Sequence, residues 1–375
     1  MSDFVGTSPR SALRVRLRRL QLKNHRNYVQ LDLAPGPGVN VFIGANGHGK
    51  TNLLEAVAML ALSSSPRARR ELELVGPAGS GSRIQAEIDD GPARREISIS
   101  LDVEGQRARR TIEVDGVRRR AIDLPGHFRV VLFWPDDLGL VKAGPELRRR
   151  FLNQMLVQVE PGYARALAGL RRVLEQRNSL LKRIASGEGG DDMLHAWNHE
   201  LVQVGGEIVA ARARAVRELE PEAARCHAEI APGERLEIRY EGPPENLAEA
   251  VNNSLAEDLK RGSTSVGPHR DDVPVLLDGQ EARSYASQGQ QRTAVVSLKL
   301  AEAALIENRT GERPLLLLDD VLSELDGERR AALLKEVAGG GQVIITSVEA
   351  GPFPPELMAG AMVWTVIEGK IQACG

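Results

Sequence analysis

The stretch Gly44-Ala45-Asn46-Gly47-His48-Gly49-Lys50-Thr51 fits the phosphate-loop pattern G-x-x-x-x-G-K-[ST] at every defined position. Its chemistry is phosphate binding. Glycines at 44, 47 and 49 let backbone N–H groups turn inward around phosphate oxygens, and a helix that starts there points its positive dipole end at them. Lys50 is expected to reach the β and γ phosphates of a nucleoside triphosphate, and Thr51 to hold Mg²⁺ through its hydroxyl. Ala45, Asn46, His48 and Asn52 belong to the same nucleotide-binding stretch.

Two further stretches complete a site of this kind. Leu315-Leu316-Leu317-Leu318-Asp319-Asp320 is an apolar run ending in two carboxylates, the form of a buried parallel strand that delivers an acid to a metal. Asp319 is the expected Mg²⁺ ligand. Upstream, Ser287-Gln288-Gly289-Gln290-Gln291-Arg292 precedes Val295, Leu298, Ala301, Ala304 and Leu305, which share one helical face. A serine, a glycine and a helix N-terminus make a second anion site. The chain already holds one phosphate cradle, so Ser287, Gly289 and Gln290 are expected to address the γ-phosphate bound by a second copy. Ser323-Glu324-Leu325-Asp326 follows the acidic strand, where a dimer-facing loop could sense that phosphate.

These residues need elements to position them. Val39-Asn40-Val41-Phe42-Ile43 reads as a buried strand feeding the phosphate loop, and Leu53, Leu54, Val57, Ala58 and Ala61 continue at helical spacing. Residues 1–12 read as a disordered leader. Alternation over Leu13, Val15 and Leu17 predicts a strand, with a polar turn at residues 23–28. Period two in Ile84-Ala86-Ile88, Ile97-Ile99-Leu101 and Thr111-Ile112-Glu113-Val114, punctuated by Gly91-Pro92, Gly105 and Gly116, predicts an antiparallel meander. Val130–Phe133 is a further strand. Beyond Pro145, apolar residues from Tyr163 to Ile184 and from Leu194 to Ala215 recur at three-four steps, a helical hairpin with a coiled-coil-like seam. Arg177 interrupts that seam, and Pro221 is expected to end its second helix. A strand at 236–240, a helix over 247–259 and a hairpin at 273–279 follow. The fold class is α/β: a P-loop ATPase head with a mixed sheet and an antiparallel meander, plus an inserted helical arm. The division is 1–12 leader, 13–135 first part of the head, 136–265 arm and 266–375 second part of the head.

The 375-residue length allows a full core without staples. Cys226 and Cys374 match no ligand spacing, which argues against zinc and for a reducing cytoplasm. No apolar run is long enough to span a bilayer. Lys+Arg 49 against Asp+Glu 51 gives a formal charge of -2, so a nucleic-acid partner requires a local basic face. Candidates are the arginines at 14–19, 67–70, 107–110, 118–120 and 148–150.

The order of phosphate loop, helical insertion, Ser-x-Gly-Gln signature, acidic strand and Ser-x-Leu-Asp loop resembles the ABC ATPases of chromosome maintenance and recombination, and more closely the RecF family. The resemblance is carried by Asn24-His25-Arg26-Asn27-Tyr28, Gly44 to Ala56, Phe133-x-Pro135-Asp136-Asp137-Leu138, Arg148-Arg149-Arg150-Phe151-Leu152, Gly267-Pro268-His269-Arg270-Asp271-Asp272, Ser287 to Thr293 and Leu317 to Asp326. It implies an ATP-dependent homodimer, two ATP molecules sandwiched between one subunit's phosphate loop and the other's signature. It also implies binding of single-stranded and gapped or junction DNA, and work with RecO and RecR in loading recombinase. The position that is a glutamate in most ABC ATPases is Asp320 here, which implies a catalytic carboxylate and slow hydrolysis acting as a release timer. Thr346-Ser347 stands where many such proteins carry a switch histidine. The competing class is the ATP-binding subunit of a membrane transporter, disfavoured by the length of residues 145–260 and the missing histidine.

Overall fold

The computed structural model describes residues 13–77, 79–90, 93–188, 192–243, 246–349 and 353–374. The expected leader, residues 1–12, lies outside them, as do Gly91-Pro92 and part of the turn between Ser186 and Asp192. The chain runs through β1 (Leu13–Arg14), β2 (Arg16–His25), β3 (Tyr28–Leu33) and β4 (Val39–Ile43) into helix α1 (Lys50–Leu62). Hairpins β5 (Gly81–Asp90), β6 (Ala93–Glu104), β7 (Arg107–Val114) and β8 (Val117–Arg119) lead to β9 (Val130–Phe133). The helical segment is α2 (Gly139–Lys142), α3 (Pro145–Val159), α4 (Tyr163–Ala185) and α5 (Asp192–Ile230), then β10 (Leu236–Ile238), α6 (Leu247–Asn253) and α7 (Leu255–Arg261). The chain returns through β11 (Val275–Leu277), β12 (Gln280–Glu281), α8 (Ala282–Tyr285), α9 (Gln288–Thr310), β13 (Glu312–Arg313) and β14 (Leu315–Asp319). It finishes with α10 (Gly327–Ala338), β15 (Val343–Ser347), α11 (Pro355–Ala359), β16 (Met362–Ile367) and β17 (Lys370–Cys374).

Two six-stranded sheets carry the head. One is antiparallel, ordered β3-β2-β5-β6-β7-β8; the other is ordered β17-β16-β4-β15-β14-β9, parallel except for β17. The continuous apolar strands of the second sheet are explained by cover on both faces. Phe42, Leu132, Leu315, Leu317 and Ile344 face one core with α1 and the antiparallel sheet, while Val41, Val131, Phe133, Leu316, Leu318 and Ile345 face another with α3, α5 and α9. Helix α1, buried from Leu53 through Ala61, therefore fills the space between the sheets and needs no polar face.

The helical hairpin forms, with Leu170, Val173, Leu201 and Ile208 buried along its seam. Three details differ from the sequence reading. Helix α5 does not stop at Pro221 but runs for 39 residues with that proline inside it. The proline removes one backbone N–H, and burial of Leu219, Ala223, Cys226 and Ile230 holds the helix on across the gap. Arg177 does not break the seam: fully buried, it donates to Asn198 Oδ1, Asp258 Oδ2 and Thr264 Oγ1, each at 2.8 Å. The single helix expected over 247–259 is two, α6 and α7, meeting at Ser254. Strand β10 pairs with β11, tying residues on either side of position 265 into one small sheet.

The Gly-Pro-His-Arg-Asp-Asp run is the knot that fastens these helices together. Arg148 of α3 grips Asp272 with two bonds of 2.6 and 2.8 Å, and buried Arg212 of α5 donates to Asp271 at 3.0 Å and to the Pro268 carbonyl at 2.5 Å. His269 and Arg270 both reach the Thr264 carbonyl, at 3.0 and 3.4 Å. Arg148 is buried and Arg149 half-buried, donating to the Asp271 carbonyl, while Arg150 is exposed and donates to the carbonyl of Pro66.

Candidate functional site

The phosphate loop is held from behind and open in front. Gly47 and Gly49 have φ of +82° and +112°, left-handed values that favour glycine, and helix α1 starts immediately after them. A Cβ on Gly44 would lie 2.3 Å from the Val366 carbonyl oxygen and one on Gly49 2.6 Å from Asn27 Nδ2, whereas one on Gly47 would meet nothing within 4 Å. The support comes from the turn between β2 and β3. Asn27 Nδ2 donates to the His48 carbonyl at 3.0 Å, the Tyr28 hydroxyl to the Gly49 carbonyl at 2.9 Å, and Asn52 Nδ2 to Asn27 Oδ1 at 2.8 Å. Arg26 of the same turn makes a paired contact, at 2.8 and 2.9 Å, with Glu55, which is buried on α1. The His48 ring lies 3.2 Å from the Val366 carbonyl, so this side chain braces the loop against β16.

Strand order places β15 between β4 and β14, so the ends of three parallel strands meet at the loop. Thr51 Oγ1 donates to Asp319 at 2.9 and 3.1 Å, joining residues 268 apart in sequence. Thr346 at the end of β15 donates to Asp319 Oδ1 at 2.7 Å and accepts from the Asp320 backbone N–H at 3.1 Å. Burial pushes the Asp319 carboxyl up, against the hydroxyl donors of Thr346 and Thr51. Burial pushes the Lys50 ammonium down, against the carboxylates of Asp320 and Asp319. Lys50 Nζ donates to the carbonyls of Gly44 and Ala45 at 2.5 and 3.1 Å.

Asp320 stands apart from its neighbour. Its backbone is in the left-handed region, φ +53°, and among the described residues its buried Oδ1 has no hydrogen-bond partner. Such an orphaned carboxylate oxygen beside a metal-type ligand pair is costly unless something arrives to satisfy it. The hydroxyl and carboxylate oxygens of Thr51 and Asp319 are the hard donors that Mg²⁺ takes, and the open glycine cradle suits phosphate; these residues fit a Mg²⁺–nucleotide.

Ser287 caps α9: its Oγ accepts from the Gln290 backbone N–H at 3.3 Å, and Gln290 Oε1 accepts from the Ser287 N–H at 2.9 Å. The Gln290 side chain is therefore engaged locally, while Ser287 is exposed. Among the described residues no hydrogen bond links Ser287, Gly289 or Gln290 to residues 44–52 of the same chain. Thus Lys50, Thr51, Asp319 and Asp320 converge, and the signature forms a separate exposed end.

The sequence reading missed the bracing by Asn27 and Tyr28, the bridge of Thr346 and the turn after β9. Trp134, Asp137, Arg292 and Asp319 share a cavity of about 40 Å³, so the Phe133-x-Pro135-Asp136-Asp137 motif lies against the metal strand. The signal was present in the residues quoted for the family, but a turn between β-strands carries no periodicity to announce a role.

A phosphate loop and an acid strand on one end of a mixed parallel sheet, with a serine-capped helix facing outward, define an ATPase head of the ABC and SMC class. Solved SMC head domains share the fold: one from Pyrococcus furiosus has a TM-score of 0.54 at 17% identity, covering 96% of each chain. The model of the RecF/RecN/SMC N terminal domain matches residues 16–354, and the chain belongs to the RecF family of DNA replication and repair proteins. The DNA replication and repair protein RecF of Moorella thermoacetica is 38% identical over 357 residues, 94% of this chain and 95% of the relative. That of Chloroflexus aurantiacus is 39% identical over 386 residues, covering 94% and 98%. A solved structure described as the recombination mediator protein RecF-ATP in the RecFOR pathway superposes with a TM-score of 0.89 at 31% identity, covering 98% of this chain and all of its own. Among the described residues no helix is long and apolar enough to cross a membrane, and family membership removes the transporter reading.

Proposed function

We propose that this protein is a cytoplasmic, ATP-dependent DNA-binding protein of recombinational repair. Two copies close on two ATP molecules, and the closed dimer grips single-stranded or gapped DNA. The observation that carries the reading is the direct bond between Thr51 of the phosphate loop and Asp319 of the acidic strand. It is supported by family membership and by the likeness to a protein described with ATP.

Bound Mg²⁺ would neutralise charge on the β and γ phosphate oxygens. The chain does the rest. Backbone N–H groups of residues 44–51 cradle the phosphates, and Lys50 leaves the loop carbonyls to reach them. Thr51 and Asp319 hold the metal. Asp320, with its unpaired Oδ1, orients the attacking water and accepts its proton. Ser287 and the N–H groups of Gly289 and Gln290 close the site from the second subunit. Hydrolysis is slow and times release; RecO and RecR are the partners through which recombinase is loaded.

Size analysis with and without ATP on a gapped duplex tests this reading. Expected are monomers without nucleotide, dimers with ATP, and ATP-dependent retention of DNA that weakens steeply with salt. A protein that stays monomeric on saturating ATP, or ignores DNA at low salt, overturns it.

A further inference from the structure

A second cation stands at the signature. Arg329, in the first turn of α10, packs against Gly289 so closely that a Cβ there would lie 2.7 Å from the guanidinium Nη1 and 4.0 Å from Ser287 Oγ. The fork is flanked by Asp326 at 3.5 Å and Glu234 at 3.7 Å, neither of them in the close two-bond geometry that Arg26 makes with Glu55 or Arg148 with Asp272. A guanidinium has five N–H donors, and among the described residues its side-chain contacts are these two, both beyond hydrogen-bond distance or at its limit. Its side chain is 21% exposed, and it lines an open cleft of about 510 Å³.

The placement is held from two sides. Asp326 also accepts from the Arg329 backbone N–H at 3.0 Å. Glu234 lies 3.3 Å from buried His227, and His227 in turn lies 3.1 Å from Ser297 on the signature helix itself. Arg329 is thus held beside Gly289 at the start of the signature helix by the loop that follows the acidic strand and by the end of the helical arm. Among the described residues no hydrogen bond or ion pair joins it to the phosphate loop of its own subunit. We infer that Arg329 binds the γ-phosphate of the ATP held by the other subunit, adding a planar charged fork to the neutral donors of the signature. A planar fork bonds two oxygens of a terminal phosphate at once, and set to reach the γ position it loses its partner when that phosphate leaves, so it ties closure to the triphosphate state. The inference rests on the reading that the signature completes the partner's nucleotide site.

The test is complementation between variants that are each blocked at a different half-site. Arg329→Ala retains its phosphate loop; Lys50→Ala lacks it but keeps Arg329. In a mixed dimer, nucleotide on the first subunit meets the intact Arg329 of the second. Alone, Arg329→Ala should bind ATP as a monomer within about twofold of the unmodified protein and lose ATP-dependent dimers about tenfold. Mixed with tagged Lys50→Ala, it should be captured in ATP well above the level of either variant alone. The parallel mixture of Ser287→Arg with Lys50→Ala reports on the signature itself. Capture in the Ser287 mixture without capture in the Arg329 mixture overturns the role of Arg329 and leaves the cross-subunit site standing. Failure of both overturns the cross-subunit reading. Arg329→Gln, which keeps a donor and most of the length, replaces Arg329→Ala if the latter melts early; normal ATP-dependent dimers in either variant also refute the inference.

Discussion

Arg177 and Asp258 are both shut off from solvent, and their pairing is maintained by Asn198, Thr264 and Ser265 around them. Removing one partner leaves the other charge buried and alone. Arg177→Leu should therefore cost about 3–5 kcal/mol in urea unfolding, and adding Asp258→Leu should recover much of it. A second buried group gives a pH signature. Burial lowers the His25 imidazole to about 4, below its value of about 6.5 in an unfolded chain. Between those values the unfolded state binds more protons, so stability falls as pH drops from 6.5 towards 4 and this group adds no further loss below that. The contribution is about 3 kcal/mol, and His25→Gln should flatten the urea midpoint across that window relative to the unmodified protein. Residues whose chemistry fixes their spacing could be singled out in the sequence: Lys50, Thr51 and Asp319 were chosen on that ground, and the structure brings them together. Arg177 was legible only as an anomaly, because its carboxylate partner is 81 residues away and nothing local names it.

At the scale of elements, the hairpin turn of β2 and β3 sets the shape of the phosphate loop. Asn27 closes against the loop through His48, Asn52 and the place where a Gly49 side chain would be. Asn27→Ala removes two hydrogen bonds and the wall behind Gly49 while leaving every residue of the phosphate loop itself unsubstituted. Monomeric ATP affinity, read by fluorescent-nucleotide titration, should fall about tenfold, equivalent to about 1.4 kcal/mol. Gly49→Ala should fall further, since it adds a left-handed strain to the clash. Strands and amphipathic helices were readable because cover on one or two faces writes itself into the sequence as alternation, continuity or three-four spacing. Val130–Phe133 of β9, residues 315–318 of β14 and residues 343–345 of β15 are continuous apolar runs, and the structure shows each split residue by residue between two cores. What failed was punctuation. Pro221 reads as a stop, but packing of α5 along α9 outweighs one missing hydrogen bond. The polar run at residues 23–28 reads as a bare turn, because bracing by side-chain amides leaves no periodic trace.

For the whole molecule the question is what sets the lifetime of the closed state. In the proposed mechanism opening follows hydrolysis, and the carboxylate assigned to take the proton from water is Asp320, which has a left-handed backbone and, among the described residues, an Oδ1 without a hydrogen-bond partner. Asp320→Asn keeps the shape, removes the base and leaves Thr51, Asp319 and the signature intact. It should assemble dimers on ATP as readily as the unmodified protein and then hold them, on gapped DNA, at least about tenfold longer, since a positioned base contributes about 10²–10⁴ in rate. Lys50→Met should fail at the earlier step and give no ATP-dependent dimer at any concentration where the unmodified protein does. Dissociation after ATP chase, followed by light scattering, separates the two. A timer needs both results, assembly governed by Lys50 and release by Asp320. If Asp320→Asn turns over ATP normally and lets go of DNA at the usual rate, the base is another group, and the neighbouring turn from Trp134 to Asp137, which abuts the metal strand through a shared cavity, is the next place to mutate.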